Sequence, residues 1–106
     1  MPMEGFVKVG EVADVPEGGV RAVKAGGEDI LLAKVKGKVY ASAAKCTHLG
    51  VSLAGGKLDG TVLTCPRHRS MFDLVDGKVI APPAKLPLKT YEVKVDGQVI
   101  LVKLKA

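Results

Sequence analysis

The chain has two cysteines and two histidines, and all four fall in two short stretches. "CTHLG" holds Cys46 and His48, and "CPRHRSMFD" holds Cys65 and His68. Taken singly, each has an ordinary explanation. A lone cysteine is commonly a small buried hydrophobe, and a lone histidine a polar surface or core residue. Grouped as Cys-x-His and Cys-x-x-His, they pool one thiol and one imidazole per stretch, which are the side chains that bind transition metals. The segment between them carries the pair Asp59–Gly60, a hairpin signal that returns the second stretch to the first.

A structural zinc site with two Cys and two His is one candidate. Zinc fingers, however, place a Cys pair before a His pair, whereas here each half supplies one of each. That alternation suits a dinuclear centre whose two irons differ, Cys46 and Cys65 on one and His48 and His68 on the other. It is the 2Fe–2S ligation in which two His replace two Cys. Charge gives the arrangement its use. Four thiolates leave an oxidised core of two ferric ions and two sulfides a dianion, whereas two thiolates and two neutral imidazoles leave it neutral. An electron enters a neutral site at less cost, so the potential rises to about −150 to +300 mV, against about −400 mV for four-Cys plant-type centres.

The remainder of the sequence must position these stretches. At 106 residues, 47% hydrophobic and 25% charged, it fits one soluble globular domain. "GFVKVGEV" reads as a first strand. "GGVRAVKAGGEDILLAKVKGKVYASAA" reads as further strands turning at Gly26–Gly27 and Lys36–Gly37. Asp-Gly pairs recur at 59–60, 76–77 and 96–97, each between β-rich runs. No stretch has a helical period with caps. The expectation is an all-β, antiparallel, small sandwich or open barrel. "APPAKLP", residues 81–87, has three prolines and reads as a stiff loop rather than a central strand.

Thirteen of the 16 basic residues are lysines, and the net charge is +5. The lysines alternate with valine and leucine, as on the solvent face of half-buried strands. With only four aromatics (Phe6, Tyr40, Phe72, Tyr91), a base-stacking platform and a nucleic-acid partner are not expected. No apolar run approaches the roughly 20 residues of a membrane span. The first residues lack the basic-then-apolar order of a secretory signal. Two cysteines are too few for a disulfide scaffold, so a cytoplasmic location is expected.

Over nearly its full length the chain resembles the Rieske ferredoxins. "CTHLG" and "CPRHRSMFD" match that family's two ligand boxes, "SLAGGKLDGTVLT" its linker, "APPAKLPL" its proline loop and "KTYEVKVDGQVILV" its final hairpin. The resemblance implies a Rieske-like fold. A basal sandwich of about residues 1–44 and 83–106 would carry an inserted cluster-binding subdomain of about 45–82. It also implies one 2Fe–2S cluster per chain on Cys46, His48, Cys65 and His68. Leu49 would shield it, Gly50 and Pro66 would shape the loops, and Pro82 and Pro83 would cover it. High-potential members brace their boxes with a disulfide, but Val51 and Arg67 stand at those positions. Ser70 keeps a family serine, whereas Phe72 replaces a tyrosine whose hydroxyl serves sulfur, so a potential low in the band is expected. Arg69 replaces a usual glycine. It puts a side chain where a positive φ is a concern and, with Lys45 and Arg67, adds positive charge that opposes the loss of the hydroxyl.

The implied function is one-electron transfer without bond-making catalysis. Electrons would pass from a flavin-containing reductase to a terminal acceptor such as a ring-hydroxylating oxygenase. A small redox subunit of a nitrite reductase-like complex is an alternative, and a zinc-bound interaction module a more distant one. A Rieske oxygenase needs a further iron site of two His and a carboxylate, and no histidine remains for it here.

Overall fold

The computed structural model describes residues 5–45, 52–66, 69–81 and 87–103. Ten strands follow in order: β1 Phe6–Glu11, β2 Val20–Ala25, β3 Glu28–Val35, β4 Lys38–Ala43, β5 Lys57–Asp59, β6 Val62–Thr64, β7 Met71–Asp73, β8 Val79–Ala81, β9 Thr90–Asp96 and β10 Val99–Lys103. The only helical piece among the described residues is a single 3-10 turn, Val12–Asp14. No helix there is long and apolar enough to cross a membrane.

The strands form two antiparallel sheets. Six, in the order β1-β10-β9-β4-β3-β2, make a curled sheet whose edge strands β1 and β2 approach each other. Four, in the order β5-β6-β7-β8, make a smaller one. The all-β antiparallel expectation holds, and so do the expected hairpins. Gly26–Gly27 joins β2 to β3, and Lys36–Gly37 joins β3 to β4, all four with positive φ. Such a turn matches the twist of the strands it links. In the β5–β6 and β9–β10 hairpins the aspartate is the last paired residue and the glycine opens the turn.

Strand β3 is the shared wall. Its run Ile30–Leu31–Leu32–Ala33 is buried on both faces. Alternation sends Ile30 and Leu32 into the curled sheet with Val39, Ala41, Ile100 and Val102. Leu31 and Ala33 face the other way, into a core with Leu53, Leu63, Cys65, Phe72, Leu74 and Leu88. Three-residue strands cannot stand alone in water, so the small sheet depends on this second core. Of the aromatics, Phe72 is buried. Tyr40, Tyr91 and Phe6 each lie under a lysine ammonium, from Lys38, Lys89 and Lys94, at 5.2, 5.0 and 5.1 Å from the ring centre.

Glu17 secures the β3–β4 hairpin from outside. The Lys36 and Gly37 N–H groups donate to its carboxylate at 2.6 and 2.9 Å. These bonds, Gly37's foremost, hold its pKa below the ordinary glutamate range. A depressed folded-state pKa contributes stability above the unfolded-state value and loses it as pH falls through the folded one. Glu17→Gln is therefore expected to lower the denaturation midpoint at neutral pH. The gap to the parent should close as the solution is acidified below the glutamate range.

Candidate cluster-binding site

Register places the ligand-bearing segments. Lys57 pairs with Thr64, Thr64 with Met71 and Met71 with Ala81, so these four form one row across the small sheet. Thr64 precedes Cys65, Met71 follows Ser70, and Ala81 precedes Pro82. The second Cys/His stretch and the proline segment therefore start from the same end of the sheet. The first stretch is brought there by its own neck. Lys45 and Ser52 form an antiparallel bridge, and Leu53 N–H donates to the Ala44 carbonyl at 2.7 Å. The chain then passes Gly55 and Gly56 into β5. A Cβ on Gly56 would lie 2.6 Å from the Thr64 carbonyl oxygen, and one on Gly55 would meet the Pro66 ring at 3.9 Å. Two glycines thus let the exit of one stretch touch the entrance of the other.

Of the four ligand candidates, Cys65 is described; Cys46, His48 and His68 lie outside the described residues, as do Leu49, Gly50, Val51, Arg67, Pro82 and Pro83. Among the described residues no three His, Cys, Asp or Glu side chains converge. Cys65 is a free thiol, 1% exposed, packed with Leu53, Leu63 and Phe72. Its N–H donates to the Ser70 carbonyl at 2.7 Å, and its carbonyl accepts from Arg69 N–H at 3.2 Å. Both backbone groups of this cysteine are thus bonded within its own turn. Ser70 and Phe72 are fully buried beside it.

That turn closes only if its last residue adopts the left-handed region. Arg69 does so, at φ +62. The concern raised by an arginine in a glycine's place is thus real, and a non-glycine residue there costs about 1 kcal/mol. The arginine is exposed.

The proline segment is fastened at both ends, and the second fastening was not foreseen from sequence. Ala81 closes β8 against Met71. At the far side, Leu88 N–H donates to the Gly77 carbonyl at 2.7 Å, and Gly77 N–H to the Asp73 carbonyl at 2.6 Å. Gly77 has φ +79, and the Leu88 carbonyl occupies the space a Cβ would need. The pair Asp76–Gly77 read as a hairpin signal alone. The requirement set by Leu88 comes from eleven residues later in the chain and leaves no local trace.

A buried thiol, two necks held in contact and a third segment tied to the same row fit a group gripped from two loops. Residues 5–92 match the family described as the Rieske [2Fe-2S] domain. The chain belongs to this family. Membership implies a [2Fe–2S] cluster. Among similar proteins is the "Naphthalene 1,2-dioxygenase/salicylate 5-hydroxylase systems, ferredoxin component" of Ralstonia sp. It is 37% identical over 91 residues, which are 86% of this chain and 88% of that one. The biphenyl dioxygenase ferredoxin subunit of Pseudomonas sp. (strain KKS102) is 37% identical over 98 residues, 92% of this chain and 90% of that one. Among solved structures, the ferredoxin of carbazole 1,9a-dioxygenase from Nocardioides aromaticivorans IC177 superposes with a TM-score of 0.91. Its identity is 30%, over 96% of this chain and all of that one.

Two substitutions test this Rieske site's frame. Arg69→Gly is expected to raise the denaturation midpoint, by at most about 1 kcal/mol, because released strain outweighs added chain entropy. Arg69→Ile should lower it, since a β-branched residue fits positive φ worst. Gly77→Ala is expected to cost about 2 kcal/mol or more, by adding both strain and a clash with Leu88. Chemical denaturation measures all three.

Proposed function

We propose that this chain is a one-electron carrier that takes electrons from a flavin-containing reductase and delivers them to a terminal acceptor such as a ring-hydroxylating oxygenase. It carries one 2Fe–2S cluster, with Cys46 and Cys65 on one iron and His48 and His68 on the other, and it acts in the cytoplasm, where thiols stay reduced. The loop-bearing unit of about residues 45–82 holds the cluster, and the remainder is its base. The observation that carries this reading is the convergence of the two Cys/His stretches on one end of the small sheet, seen in the neck at Lys45–Ser52 and the turn at Cys65–Ser70. Support for the partners comes from relatives that are ferredoxin components of dioxygenase systems. A further solved neighbour, 32% identical with a TM-score of 0.87 over 94% of each chain, is in a "Complex of reduced oxygenase and oxidized ferredoxin".

When bound, the cluster supplies a centre that accepts and releases a single electron. What the protein adds is rigidity and dryness. Cys65 sits in a closed turn over an apolar floor of Leu53, Leu63 and Phe72, so water is excluded from the sulfur side. Both backbone groups of Cys65 are bonded, so its position changes little with redox state and little reorganisation opposes transfer. Phe72 offers no hydroxyl to a ligand or cluster sulfur. Fewer donors to sulfur leave the reduced form less stabilised.

Purified protein should be red-brown, contain two irons and two inorganic sulfides per chain, and give a Rieske electron paramagnetic resonance signal when reduced. Replacing any of Cys46, His48, Cys65 or His68 with alanine should abolish that signal. A colourless preparation binding zinc alone would sink the proposal. Voltammetry should place the potential in the lower half of the band of about −150 to +300 mV.

A further inference from the structure

Charge in the small sheet is sorted by end. Between residues 45 and 81 there are three acids, Asp59, Asp73 and Asp76. Asp59 and Asp73 share a transverse row through Val62, and Asp76 lies in the β7–β8 turn, so all three are at the end away from the Cys/His stretches. The loop end has Lys45 at the neck of the first stretch, Lys57 at the start of β5 and Arg69 in the second turn, all exposed. By sequence it also carries Arg67 in the second stretch and Lys85 in the proline segment. The nearest described acids there, Glu28 and Asp29, line a cleft with Lys45, Lys89 and Tyr91, and the Tyr91 hydroxyl donates to Glu28 at 3.3 Å.

A second observation singles out this end. Arg69 holds a backbone conformation that glycine would adopt without strain. Its side chain is exposed, so packing is not what the strain supports. What an exposed arginine contributes at that position is a cation at the mouth of the site.

We propose that the loop end, fringed by Lys45, Lys57 and Arg69, is a docking face for an acidic surface patch on a redox-protein partner. This rests on the carrier reading above and names the chemistry of the partner that reading requires. A cationic rim steers an anionic surface toward the point of electron exit and raises the encounter rate more than the final affinity. The acidic row at the opposite end gives the small sheet a dipole that orients the approach.

Stopped-flow oxidation of the reduced holoprotein tests the face. One electron passes to the anion ferricyanide, giving ferrocyanide, or to the cation tris(phenanthroline)cobalt(III), giving its cobalt(II) form. For the parent, raising ionic strength from about 10 to 200 mM should slow the anion about ten-fold and should not slow the cation. Lys57→Glu/Arg69→Glu should abolish or invert that dependence. Lys8→Glu/Lys24→Glu, at exposed positions on the six-stranded sheet, has the same net charge and should leave it near the parent's. Poly-L-glutamate, as a mimic of an acidic patch, should slow ferricyanide oxidation of the parent and of the Lys8/Lys24 variant but not of the Lys57/Arg69 variant. Equal responses from the two double variants would show that only net charge acts and would overturn the docking face. A preparation lacking the red-brown centre gives no oxidation signal at all, and that result instead overturns the carrier reading.

Discussion

Four residues in one transverse row, Lys57, Thr64, Met71 and Ala81, decide where the ligand-bearing segments must emerge. Antiparallel pairing fixes the row. A slip of one residue would turn Leu63 and Phe72 out of the core and expose their apolar area. Register and burial therefore enforce each other, and the position of Cys65, one residue beyond Thr64, follows from both. The ligand loops need no stable structure of their own; they need only leave a well-registered edge at the right place.

The small sheet in turn is held by β3. Leu31 and Ala33 belong to its core while Ile30 and Leu32 belong to the larger sheet. One strand thus carries two cores on opposite faces, and truncating either pair would loosen a different half of the molecule. This coupling serves electron transfer. A carrier gains rate by changing shape little between redox states, and a site whose floor is shared with the base of the fold has little freedom to change. The Gly77–Leu88 contact extends the same restraint to the proline segment, which would otherwise be anchored only at Ala81.

Sequence made the chemistry legible because the ligand pattern is local. Cys46, His48, Cys65 and His68 announce themselves by type and spacing, and the hairpins by glycine pairs and alternation. The buried run Ile30–Ala33 was legible as strand, but its two-sidedness was not, since a continuous apolar run does not say which sheets it separates. Gly77 was legible as a turn residue and hidden as a contact residue, because Leu88 reaches it only through tertiary folding. Arg69 was legible as a departure from the family pattern, and its positive φ was resolved only when the Cys65–Arg69 and Cys65–Ser70 bonds were seen to close the turn. Lys57 looked like one lysine among thirteen until register set it at the loop end.

Arg69 joins the fold's demands to those of transfer. Stability alone favours glycine there, and a nearby positive charge also favours the reduced form of any centre in the loops, raising its potential. Phe72 acts in the opposite sense, since it gives sulfur no donor. The two departures lie on either side of Ser70 and partly cancel in potential, but they differ in reach. A missing hydroxyl acts only within hydrogen-bond distance, whereas a cation on an exposed side chain also acts outward, over roughly a Debye length of about 8–10 Å. An approaching partner therefore meets the arginine and never senses the phenylalanine. Potential can be tuned by either residue, but recognition can be tuned only by the charged one.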